Sequence, residues 1–107
     1  MTRALLRMQG NRELLARIAA QFPGVAREAQ AGLRSALTNR DLPAVAFLVH
    51  RLRGQAATFD AERLLAALTD LDDAVRAQQW PRAETALVGV QAETEALVGE
   101  LASVEPH

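Results

Sequence analysis

The sequence predicts an all-α protein, an up-and-down antiparallel four-helix bundle preceded by a short N-terminal helix. Three observations predict it. The chain is 50% hydrophobic but only 4% aromatic, with Ala and Leu dominant, a balance that favours helix over sheet. Apolar residues recur at three- and four-residue steps over long segments, the helical period and not the alternation of a strand. Turn-forming residues cluster at few places, and the connections they mark are so short that successive helices must run antiparallel. At 107 residues the chain is expected to form a single domain, 1–107.

The first element, about residues 2–9, is a short amphipathic piece with Leu5 and Leu6, closed by Gly10. Asn11 then offers an N-cap, and a long helix is expected over 11–38. Its apolar stripe is Leu14, Leu15, Ile18, Phe22, Val25, Ala29, Leu33, Ala36 and Leu37. The stripe keeps its phase across Pro23, where the lost hydrogen bond and the ring clash predict a kink or, alternatively, a break into two coaxial helices. Asn39, Arg40 and Asp41 form a polar turn, with Asp41 as N-cap and Pro43 in the first turn of a helix over about 42–57. Thr58 and Phe59 connect it to an N-cap at Asp60 and a helix over 60–78, whose core side is Leu64, Leu65, Leu68, Leu71 and Val75. Trp80-Pro81 reads as a turn followed by an N1 proline, opening a helix over 81–103. Leu87, Val90, Thr94, Leu97, Leu101 and Val104 then form a seam suited to nearly antiparallel packing. Glu105 to His107 read as a loose tail. The echo of Ala86-Leu87-Val88-Gly89 in Ala96-Leu97-Val98-Gly99 is too brief for a repeat architecture.

Twelve basic against thirteen acidic residues leave the chain nearly neutral, and no stretch gathers Arg into a stripe that could track phosphates, so nucleic acid is not an expected partner. All the basic residues are Arg, a compositional bias that makes Arg in place of Lys uninformative by itself. With no cysteine there is neither a disulfide framework nor a thiolate metal site. The apolar runs are too short to span a membrane, and the N-terminus lacks the apolar core of a signal peptide. A cytoplasmic location without membrane contact is the expectation.

One helix carries the residues with chemical potential. At about 100° per residue, Val45, Leu48, Val49, Leu52, Ala56 and Phe59 share an apolar arc. His50 lies roughly 140° from the centre of that arc by the same arithmetic, which predicts an outward-facing imidazole. A surface histidine on a helix is usually no more than a polar surface residue, but its neighbours are unusual. Phe47 is an aromatic on the same outward side, unless a bent bundle or the N-terminal segment buries it. Gly54 sits within the helix at a cost of about 1 kcal/mol relative to alanine. Neither helps the fold, and both suit docking: Phe47 as an apolar anchor, Gly54 as a point of close backbone approach. Arg53, one turn after His50, is placed to hold an anion beside the imidazole. A metal site built from His50 with Asp70, Asp72 or Asp73 lacks the spacing of a zinc or di-iron motif, so no metal is expected.

The run His50-Arg51-Leu52-Arg53-Gly54-Gln55-Ala56, followed by an acidic residue and by Leu64, Leu65, Leu68 and Leu71-Asp72, resembles the histidine phosphotransfer domains of bacterial multistep phosphorelays, whose motif is His-x-Leu-Lys-Gly-x-Ala. The resemblance covers nearly the whole chain, including the entry Leu5-Leu6-Arg7-Met8-Gln9-Gly10-Asn11 and the Asn39-Arg40-Asp41 turn. It implies that His50 is phosphorylated on Nε2, that Arg53 steadies the phosphoryl oxygens, and that Gly54 leaves room for the active-site loop of a receiver domain. Asp72 falls where the family often has a side chain that orients the other imidazole nitrogen. The expected docking patch comprises Phe47, Arg51 and Ala57. Two departures stand out: Arg53 presents a planar fork where the family has a compact ammonium, and Asp60-Ala61 replace a common Gly-Ala, which puts the shape of that turn in question.

The resemblance further implies a phosphoryl carrier and not an enzyme, working with receiver domains of response regulators or of a hybrid sensor kinase, whose C-terminal module this chain resembles. It would take a phosphoryl group from one receiver aspartate and give it to another. No cofactor is expected in the chain itself, the Mg²⁺ being the receiver's, and a monomer suffices. The absence of a Gly-rich phosphate loop argues against autokinase activity. The alternative is a helical-bundle adaptor or interaction module that is never phosphorylated.

Overall fold

A computed structural model of the chain describes residues 12–102. Among them are four helices and no strand: α1 (Arg12–Thr38), α2 (Leu42–Thr58), α3 (Glu62–Arg76) and α4 (Trp80–Leu101). The expected helix at 2–9, the Asn11 cap, Val104 and the tail lie outside the described residues. The fold is the all-α bundle that the periodicity predicts.

α1 runs unbroken through Pro23. Its buried residues are Leu15, Ala19, Phe22, Ala26, Ala29, Leu33, Ala36 and Leu37, so Phe22 and Ala26 lie in the core on either side of the proline and hold both halves of the helix to one face. The buried stripe is narrower than the apolar pattern suggested. Leu14 is exposed, Ile18 and Val25 are half-buried, and Ala19 and Ala26 take the inner positions instead. From Leu15 to Ala36 the buried positions step alternately by four and three, a seam that lets α1 approach its neighbours closely.

The three connections are built alike. After α1 the Asp41 N–H donates to the Ala36 carbonyl (2.9 Å) and the Arg40 N–H to that of Leu37 (3.2 Å). After α2 the Ala61 N–H donates to Ala56 (2.8 Å) and the Asp60 N–H to Ala57 (3.2 Å). After α3 the Gln79 N–H donates to Ala74 (2.9 Å) and the Gln78 N–H to Val75 (2.9 Å). Each is a Schellman closure, which needs a left-handed residue, and Arg40 (φ 53°), Asp60 (φ 52°) and Gln78 (φ 55°) supply it without glycine. The next residue in each case is the N-cap of the following helix: Asp41, Ala61 and Gln79.

That geometry corrects the expected N-cap at Asp60. Asp60 is committed to the left-handed position, Ala61 caps α3 without a side-chain hydrogen bond, and the helix starts at Glu62. The expected cap at Asp41 is present, its side chain accepting from the Ala44 N–H at 3.1 Å, with Pro43 in the first turn. Trp80, expected in a turn, opens α4.

The core gathers Val45, Val49, Leu52, Ala56 and Phe59 from α2 and its cap, Leu64, Leu68, Leu71, Ala74 and Val75 from α3, and Ala83, Ala86, Leu87, Val90, Leu97 and Leu101 from α4. Thr94 is fully buried within it, its hydroxyl donating to the Val90 carbonyl at 2.6 Å. Phe22 and Phe59 meet edge to face, centroids 5.8 Å apart, which places the α2–α3 turn beside the middle of α1. At the other end the Arg40 guanidinium lies over the Trp80 ring at 4.5 Å, joining the first and third turns. No helix among the described residues is long and apolar enough to cross a membrane.

Candidate functional site

His50 occupies the middle of α2, on the face turned away from the buried Val45, Val49, Leu52 and Ala56. It is exposed, and no hydrogen bond or ion pair ties its imidazole to another described residue. An unshielded, untethered imidazole on a rigid helix has a ring nitrogen available to an incoming electrophile.

One turn away, Arg53 is held. Its Nη2 donates to the Thr69 hydroxyl on α3 at 3.0 Å, and that hydroxyl donates in turn to the Leu65 carbonyl at 3.0 Å. The Arg53 Nε is buried without a hydrogen-bond partner. The guanidinium is thus drawn across the α2–α3 groove, half-buried, with its charge fixed beside the histidine's turn. Thr69 did not stand out in the sequence, where a lone Thr on a polar face is unremarkable. The signal that would have found it is register: in a tight antiparallel hairpin turning about Ala61, positions 53 and 69 are equidistant from the turn and so lie level.

By the same register Asp72 lies level with His50, yet no hydrogen bond joins them. Its carboxylate is largely enclosed, with 15% of the side chain exposed, and pairs with the Arg76 Nε at 3.1 Å. The expected role of Asp72 in orienting the imidazole is therefore not seen as a contact here.

The residues expected to form the docking patch are on the surface. Phe47 is 65% exposed, which decides against its burial by a neighbouring helix. Ala57 is exposed, and Arg51 lies 3.9 Å from the Glu28 carboxylate of α1, with both side chains open to solvent, an ion pair worth little at that distance and exposure. Gly54 is exposed too, and a methyl group in place of its hydrogen would meet nothing within 4 Å. Its small size answers no need of the fold. Gly32 on α1 differs, since a Cβ there would come within 2.9 Å of Leu48 Cδ1, so that glycine lets α1 and α2 close on each other behind the site. No group of three or more metal-ligating side chains occurs among the described residues.

An exposed mid-helix histidine, a cation held across the groove one turn on, and an open glycine beside them form a surface that can present a group but cannot enclose a substrate. The model of the Hpt domain family matches residues 8–100. The chain belongs to the Hpt domain family. No curated protein and no solved structure matches it. As an Hpt domain it takes part in histidine phosphotransfer within a phosphorelay, a signalling module of a family whose members are phosphocarriers rather than enzymes and which interacts with receiver domains. The four helices supply the scaffold and α2 the presenting surface.

Proposed function

We propose that His50 is the phosphoryl-accepting residue of this Hpt domain, taking the group from the aspartyl phosphate of one receiver domain and passing it to the aspartate of another. The observation that supports this most directly is the exposed, unpartnered imidazole of His50 one turn from the tethered Arg53 guanidinium. The lone pair of the neutral imidazole's Nε2 attacks phosphorus as the acyl phosphate P–O bond breaks, and the aspartate carboxylate leaves. The second transfer reverses this, the N–P bond breaking as a carboxylate oxygen attacks. Placement and charge stabilisation dominate such a step. Arg53 contributes charge from this side, and the receiver supplies its own Mg²⁺ and most of the catalytic groups.

Phe47, with Arg51 and Ala57, forms the docking patch around the histidine, and Gly54 admits the receiver's backbone. A relay carrier must release each partner, which suits brief contact by a monomer over a small area. The module works in the cytoplasm, as the C-terminal part of a hybrid sensor kinase or as a separate carrier.

The test is uptake of acid-labile, base-stable phosphate from a phosphorylated receiver. Wild type takes up label and His50→Gln takes up none. Label on the His50→Gln variant would show that the site is elsewhere. A wild-type chain that binds receivers without labelling would instead be an adaptor.

A further inference from the structure

Arginine at position 53 brings more donors than a single anion contact needs, and the structure divides them. Nη2 is spent on the Thr69 hydroxyl at 3.0 Å, Nε is buried and unpartnered, and the Nη1 edge remains for a ligand. Thr69 is itself oriented, because its own proton goes to the Leu65 carbonyl, leaving an oxygen lone pair toward α2. The hydroxyl is therefore a fixed acceptor. Burying Nε without a partner carries a desolvation cost, which an arginine free to extend into water would avoid. The Thr69 contact works against that release.

We propose that Thr69 is a positioning residue for phosphoryl transfer at His50, holding the Arg53 guanidinium across the α2–α3 groove so that its free edge meets the transferring group without first being ordered. This rests on the reading of His50 as the phosphoryl acceptor. A planar fork can hold a tether with one nitrogen and an anion with another, whereas an ammonium offers all its protons from one atom. Arg at this position and Thr on the facing helix form one device. Positioning of this kind acts on the rate of the chemical step, because a cation already in place does not have to be immobilised as charge develops.

The experiment measures the rate of His50 labelling from two donors, a phosphorylated receiver and phosphoramidate. In phosphoramidate the P–N bond breaks as the imidazole attacks, and ammonia leaves. Thr69→Val is expected to slow labelling by both donors about five- to tenfold, with thermal unfolding showing a folded protein, and Thr69→Ser to restore the rate to within about twofold. In an Arg53→Gln background, where no cation is left to hold, Thr69→Val is expected to have no further effect. Labelling of Thr69→Val at the wild-type rate overturns the proposal, as does failure of Thr69→Ser to rescue. Equal slowing by Thr69→Val in both backgrounds overturns it too, since that marks a structural role. A wild-type chain that takes label from neither donor overturns the phosphocarrier reading itself, and the positioning role falls with it. Normal wild-type labelling with a silent Thr69→Val removes the positioning role alone.

Discussion

Gly54 lies exposed on α2, where a methyl group would find open space, and it weakens the helix that carries it. Replacing it with alanine should stabilise the fold by about 1 kcal/mol, seen as a rise in melting temperature of about 4–8 °C. On the carrier reading the same Gly54→Ala change slows labelling from a phosphorylated receiver, whose backbone must approach, and leaves labelling from phosphoramidate unchanged. Kinetics with the two donors check this. Thr94 gives a contrasting case. Its hydroxyl is fully buried but satisfied within its own helix by the Val90 carbonyl, so Thr94→Val should shift stability by less than about 1 kcal/mol, measured by denaturant midpoint. At this scale the sequence already marked His50, Arg53, Gly54 and Phe47, because helical phase and the cost of a glycine can be read from a linear pattern. Thr69 could not be read that way, being a product of the register between two helices. The Asp72–Arg76 pair is different, since an acid followed by a base four residues on is itself a linear pattern.

The connections decide the elements. Each turn forces a residue into the left-handed region, where a side chain other than glycine costs roughly 1–2 kcal/mol, and the chain places Arg40, Asp60 and Gln78 there. Gln78 is exposed, so Gln78→Gly should stabilise the bundle by about 0.5–1 kcal/mol, while Gln78→Val should weaken it. The next residue, Gln79, caps α4 without a side-chain hydrogen bond to the backbone. Gln79→Asp should add about 1 kcal/mol through capping and the helix dipole, less the contact its amide oxygen accepts from Arg82 at 3.0 Å. Thermal unfolding of each variant checks the sign. The four described helices were legible from apolar spacing, and their bounds moved by only a few residues. The shift came where turn chemistry is ambiguous in a linear pattern: Asp60 is a good N-cap by type, yet the Schellman closure after α2 needs its backbone more than its carboxylate, and the cap passes to Ala61.

The molecule is elongated, 45 Å by 20 Å by 20 Å, because its helices run side by side and α1 alone, with 27 residues, spans about 40 Å. The α2–α3 turn lies beside Phe22, so the first turns of α1 continue past the hairpin alongside the last turns of α4, which still border that turn through Leu97 and Glu100. A cleft there is lined by Ala16, Ala20, Pro23, Val98 and Leu101 and by nothing from α2 or α3. Phe22 is the pivot of this arrangement, fully buried at the level of the α2–α3 turn, with Phe59 against its ring. Phe22→Ala should cost about 3–5 kcal/mol, a large share of the stability of a domain this size, and urea unfolding should show a lower midpoint with the slope unchanged. The overhang was hidden in the sequence, since spacing fixes which face of a helix is inward but not how far its neighbours extend. His50, in turn, has eight residues of α2 on either side of it, beyond the reach of the partial charge at either helix end. On the carrier reading a phosphoryl group there is borne in open water near the Arg53 guanidinium. On that reading such a bond keeps nearly the transfer potential of phosphohistidine in solution, so the loading of the module would follow the ratio of charged to uncharged receivers around it, running in either direction as that ratio tips.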